Sequence, residues 1–328
     1  MNILVIGRGS IGKQHLKSLR SLKKTHALTV HEFQPTSHGP AYFNELQGAL
    51  ENQHIEAVLI CNPTSQHVQT ALVCLHRGVH VFLEKPLGVS FDAKNFKEIE
   101  RLVKEKECTF MVGYDMRFNP WIVKMKELVE QNTIGKIWGA RVMAGQYLPD
   151  WRPGTDYRQT YSAKKEMGGG VLLDLSHELD YLLWLMPQKV VEVTARKVTT
   201  GQLEIDTEDI ASVIVGFEAG ATAQVHLDYL TVPYRRSCEV YGDKGTILWD
   251  DNAHTLRIYT KNEGKWRTVR VAKKDAATPV VLKNELAHFL ACIQTKRTPI
   301  NSLQNSLAVM RLIQKINDSA STNKTVKM

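Results

Sequence analysis

Two rhythms of apolar and polar positions divide the chain near residue 118. In the first part, short apolar runs alternate with stretches of helical periodicity, a pattern typical of a parallel sheet with helices on both faces. The predicted strands are Asn2–Ile6, Leu28–His31, Glu56–Ile60, Val79–Leu83 and Thr109–Gly113. Helices are predicted to end near Lys23, His76 and Glu105. We therefore predict a doubly wound α/β domain over residues 1–118.

The second part, residues 119–328, consists mainly of short strands joined by tight turns, which favours a large, mostly antiparallel open sheet. The predicted strands are Ile137–Ala144, Val190–Lys197, Ile210–Phe217, Ala221–Leu230, Ser237–Gly242, Thr246–Trp249, Thr255–Thr260 and Arg267–Val271. The predicted helices are Pro120–Gln131, Val171–Met186, Val280–Gln294 and Ser302–Ser319. The polar tail from Ala320 is expected to be frayed. We therefore predict an α+β second domain.

Composition narrows the classes of function. The 42 Lys and Arg residues against 34 Asp and Glu give a net charge of +8, but the two signs are interleaved, so we expect no nucleic-acid partner. Five cysteines without Cys-x-x-Cys spacing argue against a disulfide framework and a metal site. No run approaches the roughly 18 apolar residues of a membrane span. No signal peptide pattern opens the chain. We expect a cytoplasmic protein with no membrane partner.

The segment Gly7-Arg8-Gly9-Ser10-Ile11-Gly12 is a Gly-x-Gly-x-x-Gly motif placed directly after a strand and before a helix. Its glycines permit a tight turn, close approach of a pyrophosphate and close packing of helix on strand. Glu32 follows about twenty residues later, where an acidic residue binds ribose hydroxyls. Because Glu32 would repel a 2′-phosphate, NAD is favoured over NADP, although Arg8 and His31 weaken that preference.

The charged turn Glu84-Lys85-Pro86 follows the fourth predicted strand, at the sheet edge where ligands bind in such folds. A lysine at such a place can act as an acid or as a positive charge. The alternative is an ordinary turn with two solvated charges.

A second candidate site lies on the predicted helix Val171–Met186, where Asp174, His177, Glu178 and Tyr181 would share one face. Polar groups on a buried helix are costly unless they are paired or bind a ligand. The helix dipole would hold Asp174 as a carboxylate, and His177 exchanges protons near neutral pH. A structural Asp–His pair is the alternative.

Together these motifs resemble one family over nearly the whole chain: the glucose–fructose oxidoreductase, inositol dehydrogenase and rhizopine catabolism family (Gfo/Idh/MocA). The chain is similar to it in the glycine loop, in the Glu84-Lys85-Pro86 tripeptide, whose Lys–Pro bond is often cis there, and in Gly168-Gly169-Gly170 before the Asp174 helix. One departure is that the family has Asp-x-x-x-His, whereas Asp174 and His177 are three apart. The resemblance implies the following further cofactor-binding residues: Asn62, Pro63, Thr64, His67, Glu84, Lys85 and Pro86.

The resemblance implies hydride transfer between a nicotinamide and a secondary alcohol carbon of a sugar or polyol. Lys85 and His177 would handle the alcohol oxygen and its proton, and Asp174 would orient them. The loop between the predicted strand Ile137–Ala144 and the predicted helix Val171–Met186 is the candidate for substrate recognition. Its arginines favour an anionic sugar, such as a nucleotide sugar. The predicted substrate-binding residues are Lys85, Trp151, Arg152, Tyr157, Asp174, His177 and Arg235.

Two other functions fit the same resemblance. Some members of the family cleave glycosides through a transient NAD-mediated oxidation, and a non-catalytic dinucleotide-sensing regulator could use the same fold. The presence of both Lys85 and His177 argues against a regulator, because a sensor needs no proton-transfer pair. By analogy with relatives, we expect a homodimer or homotetramer.

Overall fold

A computed structural model describes residues 1–23, 26–35 and 40–328. The helices are α1 (Ser10–Leu22), α2 (Pro40–Asn52), α3 (His67–His76), α4 (Ala93–Glu105), α5 (Pro120–Glu130), α6 (Val171–Asp174), α7 (His177–Leu185), α8 (Thr278–Thr295) and α9 (Leu303–Thr322). The strands are β1 (Asn2–Ile6), β2 (Thr29–Phe33), β3 (Ala57–Ile60), β4 (His80–Glu84), β5 (Phe110–Gly113), β6 (Ile137–Gly145), β7 (Val190–Val198), β8 (Ile210–Phe217), β9 (Thr222–Asp228), β10 (Arg235–Gly242), β11 (Gly245–Asp250), β12 (Thr255–Thr260), β13 (Trp266–Val269) and β14 (Val326–Lys327). No helix in the described ranges is long and apolar enough to cross a membrane.

The first of two compact units contains a parallel five-stranded sheet in the order β2-β1-β3-β4-β5. Its inner strands β1, β3 and β4 each contain at least three consecutive buried apolar residues, as expected where both faces of a parallel sheet are covered. The strand order reverses between β1 and β3, and ligands bind outside the carboxyl ends of the strands at such a switch point. The glycine loop follows β1 and the Asn62 turn follows β3, so both lie at the carboxyl ends of the two strands that flank this switch point.

The first unit comprises Met1–Phe118 together with Ala277–Met310, and the second comprises Asn119–Ala276 with Arg311–Met328. The sequence-based division had placed residues 277–310 in the second domain. The physical reason for the difference is the apolar face of α8, which packs into the core that α1 shares with the sheet. Within that core the rings of Phe289 and Phe82 meet edge to face at 5.8 Å.

The second unit is built on a nine-stranded sheet in the order β13-β12-β11-β10-β6-β9-β8-β7-β14. Its pairs are antiparallel except for β6 with β9. Buried and more exposed residues alternate along β8 and β11, which is the mark of a sheet with one covered face. The sequence had predicted this mostly antiparallel sheet.

Two local predictions for the second unit were wrong. The tail is ordered rather than frayed, because β14 pairs with β7 and Met328 donates its amide to Val191. The apolar helix is also not continuous, since α6 ends at Asp174 and α7 begins at His177. Around the break, Ser176 and Glu178 bond to carbonyls three residues back rather than four, which tightens the turn.

Candidate active site

The glycine loop has the backbone that a bound pyrophosphate needs. Gly7 has φ +101°, and a Cβ there would lie 2.5 Å from the Cys61 carbonyl oxygen, while a Cβ on Gly12 would collide with the Gly7 carbonyl. A Cβ on Gly9 would meet nothing within 4 Å, so a ligand can approach the backbone there. Helix α1 starts at Ser10 with no acidic residue in its first turn, and no side chain among the described residues caps it. These features fit a dinucleotide phosphate at the helix N-terminus.

Glu32 forms an ion pair with Arg8 of the glycine loop. It lies on β2 opposite Val5 of β1, and its carboxylate Oε2 is 2.9 Å from Nε of Arg8. A second guanidinium, that of Arg20, is 4.0 Å from the other carboxylate oxygen. The carboxylate predicted to bind the ribose is thus flanked by two exposed cations.

Hydrogen bonds hold the side chain of Asn62 in the turn after β3. The Nδ2 of Asn62 donates to Oγ1 of Thr70 at 2.9 Å and to Oε1 of Gln66 at 3.2 Å. Pro63 leads into a 3₁₀ turn in which Thr64 is buried. Asn62 Oδ1 is buried and accepts no hydrogen bond from the described residues. These residues therefore shape the edge of the sheet beside the glycine loop, and Asn62 leaves one polar atom for a ligand or water.

Lys85 is the one half-exposed residue in the otherwise buried run from Val81 to Gly88. The peptide bond between Lys85 and Pro86 is cis, as the resemblance implied. On the amino side, the Glu84 carboxylate is buried and its Oε1 accepts from Nε2 of His15 at 2.5 Å. A Cβ on Gly113 would lie 3.2 Å from this carboxylate oxygen, so a glycine leaves the room that Glu84 occupies.

On the carboxyl side of Lys85, the carbonyl oxygen of Pro86 lies 2.8 Å from Nδ1 of His67. The Nε2 of His67 lies 3.0 Å from the carbonyl oxygen of Asn62. His67 is 1% exposed. Burial lowers the pKa of His67, and its contacts with the two carbonyls oppose that shift. The structure therefore places His67 and Glu84 in the interior as supports, whereas sequence reasoning had assigned them to cofactor contact.

Asp174 is held by two tyrosine hydroxyls. Tyr161 donates to its Oδ1, and Tyr229 donates to its Oδ2 at 2.9 Å. Burial and the neighbouring carboxylate raise the pKa of both phenols well above the ordinary value, so both remain donors. Sequence reasoning had expected a helix dipole to hold this carboxylate, but α6 has only four residues and Asp174 is its last. Tyr229, 55 residues away, was missed because no local pattern connects it to Asp174.

His177 is the first residue of α7 and is half-exposed, while the next residue, Glu178, is fully buried. Glu178 Oε1 accepts from Nε of Arg236 on β10 at 2.6 Å. Burial alone would lower the pKa of Arg236, but the Glu178 carboxylate raises it well above the ordinary value. Arg236 therefore remains a cation beside the helix that carries His177.

The predicted substrate residue Arg235 lies on the other face of β10, because successive side chains of a strand point to opposite faces. Its neighbour Arg236 and the buried Cys238 share the face that meets α7, and Arg235 is exposed. The structure thus separates Arg235 from Asp174 and brings Arg236 to the side of the sheet on which α7 lies.

The loop between β6 and α6 reaches Asp174 through Tyr161 and packs against Tyr229, the residue after β9. The ring of Trp151 meets that of Tyr229 edge to face at 5.3 Å, and the Arg152 guanidinium lies 5.3 Å from the centre of the Tyr161 ring. The hydroxyl of Tyr157 instead accepts the amide of Glu204 at 3.1 Å. Trp151 and Arg152 therefore lie beside the Asp174 group, whereas Tyr157 fastens the loop to a neighbouring segment.

Comparison with known proteins decides the family. Residues 1–114 match the family model described as an oxidoreductase family with an NAD-binding Rossmann fold, and residues 122–248 match the GFO/IDH/MocA C-terminal domain. The chain belongs to the GFO/IDH/MocA family. This confirms the resemblance and the fold class that the sequence predicted, and it identifies the first unit as containing the NAD-binding Rossmann domain of an oxidoreductase.

Relatives in the GFO/IDH/MocA family include the myo-inositol 2-dehydrogenase of Thermotoga maritima, 28% identical over 284 residues that cover 80% of this chain and 79% of that protein. The inositol 2-dehydrogenase of Rhizobium meliloti is 24% identical over 319 residues, 94% of this chain and 93% of that one. A solved levoglucosan dehydrogenase in complex with NADH and L-sorbose has a TM-score of 0.85 at 20% identity, and the match covers 100% of this chain and 98% of that chain. At that identity the structural likeness shows the shared fold.

Proposed function

We propose that this protein is an NAD-dependent dehydrogenase acting on a secondary alcohol of a sugar or polyol, with Lys85 and His177 acting on the same alcohol oxygen. The observation that carries the proposal is the setting of Lys85, a half-exposed lysine in a buried turn whose two neighbours are both fixed. The turn ends a strand of the NAD-binding domain, at the edge where a dinucleotide binds. The relatives named as inositol dehydrogenases support an alcohol substrate.

In the oxidative direction, His177 accepts the proton of the alcohol hydroxyl as general base. The ammonium of Lys85 stabilises the negative charge that develops on the oxygen. NAD, when bound, supplies the hydride acceptor. Asp174, fixed by its two tyrosine donors, orients the residues that handle the alcohol oxygen. The reverse sequence of proton transfers serves reduction of the ketone.

The substrate is proposed to be a sugar with an anionic group. The half-buried Trp151 and Tyr161 provide aromatic surface beside Asp174, and Arg152 provides a cation over Tyr161. Arg158, in contrast, is paired with Asp156 and Glu204, so it adds little charge for a substrate. A bidentate contact from Arg152 would recognise a carboxylate or phosphate.

The test is the change in NADH absorbance with a panel of polyols, sugars and their acidic counterparts, beginning with myo-inositol, levoglucosan and the pair glucose and glucuronate. Lys85→Ala and His177→Ala are each expected to lower kcat by about 10²- to 10⁴-fold, the usual contribution of a general acid or base. Full activity in both variants would overturn the assigned roles. Glycoside release without net NADH would instead indicate a hydrolase, and NAD binding without turnover of any panel member would indicate a regulator.

A further inference from the structure

We propose that His15 and His67 are positioning residues for Lys85 and together form a histidine clamp, meaning these two side chains and the segment Glu84–Pro86 that they hold. The inference deepens the proposed function and rests on the catalytic role of Lys85 for its meaning. The clamp holds the Glu84 side chain on one side of Lys85 and the Pro86 carbonyl on the other, while Lys85 itself is half-buried.

The first half of the clamp crosses from α1 to β4. His15 is 0% exposed and lies among apolar side chains, with its ring 5.1 Å from Phe82 in an edge-to-face contact. Its Nε2 meets the Glu84 carboxylate at 2.5 Å, and its Nδ1 makes no hydrogen bond to any described residue. Burying two polar side chains is favourable only when they satisfy each other. The Glu84 contact therefore accounts for the presence of His15 in this core.

The second half of the clamp crosses from α3 to the turn after β4. Both ring nitrogens of His67 face carbonyl oxygens, those of Pro86 and Asn62. A neutral imidazole has one N–H and can donate to only one of them, so the ring holds both carbonyls fully only as the cation. In either form it joins the Lys85 turn to the Asn62 turn.

Each histidine of the clamp is also connected to a segment at the cofactor-binding end of the parallel sheet. His15 is on the helix whose N-terminus follows the glycine loop, and His67 holds the carbonyl of Asn62 in the turn after β3. The two histidines therefore set the position of Lys85 relative to the two segments that a dinucleotide contacts in such a fold. Positioning of this kind matters because a small displacement of a reacting group lowers the rate strongly.

The test measures Lys85 directly and needs no substrate. The rate of Lys85 acetylation by acetic anhydride is followed by mass spectrometry, with exposed Lys104 as the internal reference. His15→Leu removes the donor to Glu84 and loosens the turn, so the half-buried Lys85 should be exposed more often. Its acetylation is expected to accelerate by about three- to tenfold, the change in an opening equilibrium that corresponds to loss of one buried hydrogen bond. His15→Gln places an amide nitrogen where Nε2 lies and is expected to restore a rate close to that of the original protein.

Leu19→Ala is the matched control, because it removes buried apolar contacts from the same helix without touching Glu84. Equal acceleration in Leu19→Ala and His15→Leu, or no acceleration in His15→Leu, would overturn the clamp. If His15→Leu does not fold, His15→Leu combined with Glu84→Gln removes the uncompensated charge and is expected to show the same acceleration. Normal Lys85 acetylation in that double variant would count equally against the clamp.

A second readout separates positioning from general structure. With whichever panel sugar is turned over, His15→Leu should lower kcat while the dissociation constant for NADH, measured by its fluorescence, stays within about twofold of the original. A fall in NADH affinity that accounts for the whole loss of activity would contradict positioning. Full turnover by Lys85→Ala would refute the proposed function, whereas the acetylation result would still decide whether the clamp holds Lys85.

Discussion

In the first unit the residue before Lys85 is a buried glutamate held by a histidine, whereas in the second unit the residue after His177 is a buried glutamate held by an arginine. The two contacts are nearly equal in length, 2.5 Å for His15 with Glu84 and 2.6 Å for Arg236 with Glu178. Their surroundings differ. His15 is 0% exposed and its ring packs edge to face on Phe82, while the side chain of Arg236 is 18% exposed and has tyrosines as further neighbours.

This difference shows two ways of fixing a proposed catalytic residue through its neighbour. A histidine can hold a carboxylate as a neutral donor, and it fits an apolar core without carrying a permanent charge. An arginine is always charged, so it compensates an ionised glutamate without depending on its own titration, and Arg236 does so while its side chain is partly exposed. The histidine contact therefore suits the interior of the NAD-binding unit, and the arginine contact suits the partly exposed start of β10 in the open sheet.

The largest effect is expected from breaking the arginine contact. Arg236→Met leaves the Glu178 carboxylate buried without its cation and should lower the free energy of unfolding by about 3–5 kcal/mol. The measurement is urea unfolding followed by circular dichroism. Replacing Glu178 with methionine as well removes the uncompensated charge and should recover most of the loss.

The matched control is Arg235→Met, one residue away on the exposed face of the same strand. It should change the free energy of unfolding by no more than about 0.5 kcal/mol, as is usual for surface substitutions. Similar losses in Arg235→Met and Arg236→Met would show that the Glu178 contact does not stabilise the unit.

The next effect concerns the tyrosines that hold Asp174 in the second unit. Tyr229→Phe removes one of the donors to a buried carboxylate and should cost about 1.5–3 kcal/mol, the range for hydrogen bonds to charged groups. Tyr181→Phe is the control, because the buried hydroxyl of Tyr181 has no hydrogen-bond partner among the described residues. Thermal and urea unfolding should rank the two variants clearly. A loss in Tyr181→Phe as large as in Tyr229→Phe would contradict the role given to the Asp174 contact.

The features that the sequence predicted are local in the chain. The glycine loop, the parallel strands, the Glu84-Lys85-Pro86 turn and the strands of the open sheet all follow from residues within a few positions of one another. Helix α2 had no predicted counterpart, although Tyr42, Leu46 and Leu50 recur at helical spacing and are buried, so a signal for it was present.

The supports of the site could not be predicted, because each joins residues far apart in sequence. His15 meets Glu84 across 69 positions, and Arg236 meets Glu178 across 58. A single sequence gives no constraint on which distant polar residues will pair inside a core. One signal was readable: the spacing of three between Asp174 and His177 coincides with the point at which the helix breaks.

A smaller effect in the first unit depends on pH. Burial lowers the pKa of His67 in the folded protein. Just below pH 6.5, roughly the ordinary pKa of histidine, His67 is therefore protonated in the unfolded chain but not in the folded protein. Folding is therefore destabilised as pH falls through that range, by at most about 1.4 kcal/mol per pH unit for one proton. His67→Gln should remove this part of the pH dependence. Urea unfolding at pH 7 and pH 5.5 measures it, and identical slopes for the two proteins would contradict it.

The smallest effect on stability is expected at the exposed counterpart of the two buried glutamates. Glu32 is partly exposed and its partner Arg8 is half-exposed, so Arg8→Ala should change the free energy of unfolding by less than about 1 kcal/mol. The same pair should matter more for cofactor choice. Glu32→Gln removes a charge that repels a 2′-phosphate and should tighten NADPH binding by about five- to tenfold. The reason is that the interaction energy of two unit charges close together in water is roughly 1 kcal/mol.

Fluorescence titration with NADH and NADPH measures this preference without a substrate. Adding Arg8→Ala to Glu32→Gln should reverse much of the gain for NADPH and leave NADH affinity nearly unchanged, because only the 2′-phosphate needs the cation. Adding Arg20→Ala instead is the control, since Arg20 lies farther from the carboxylate, at 4.0 Å against 2.9 Å for Arg8. If both additions reversed the gain equally, general positive charge rather than the Arg8 contact would explain the cofactor preference.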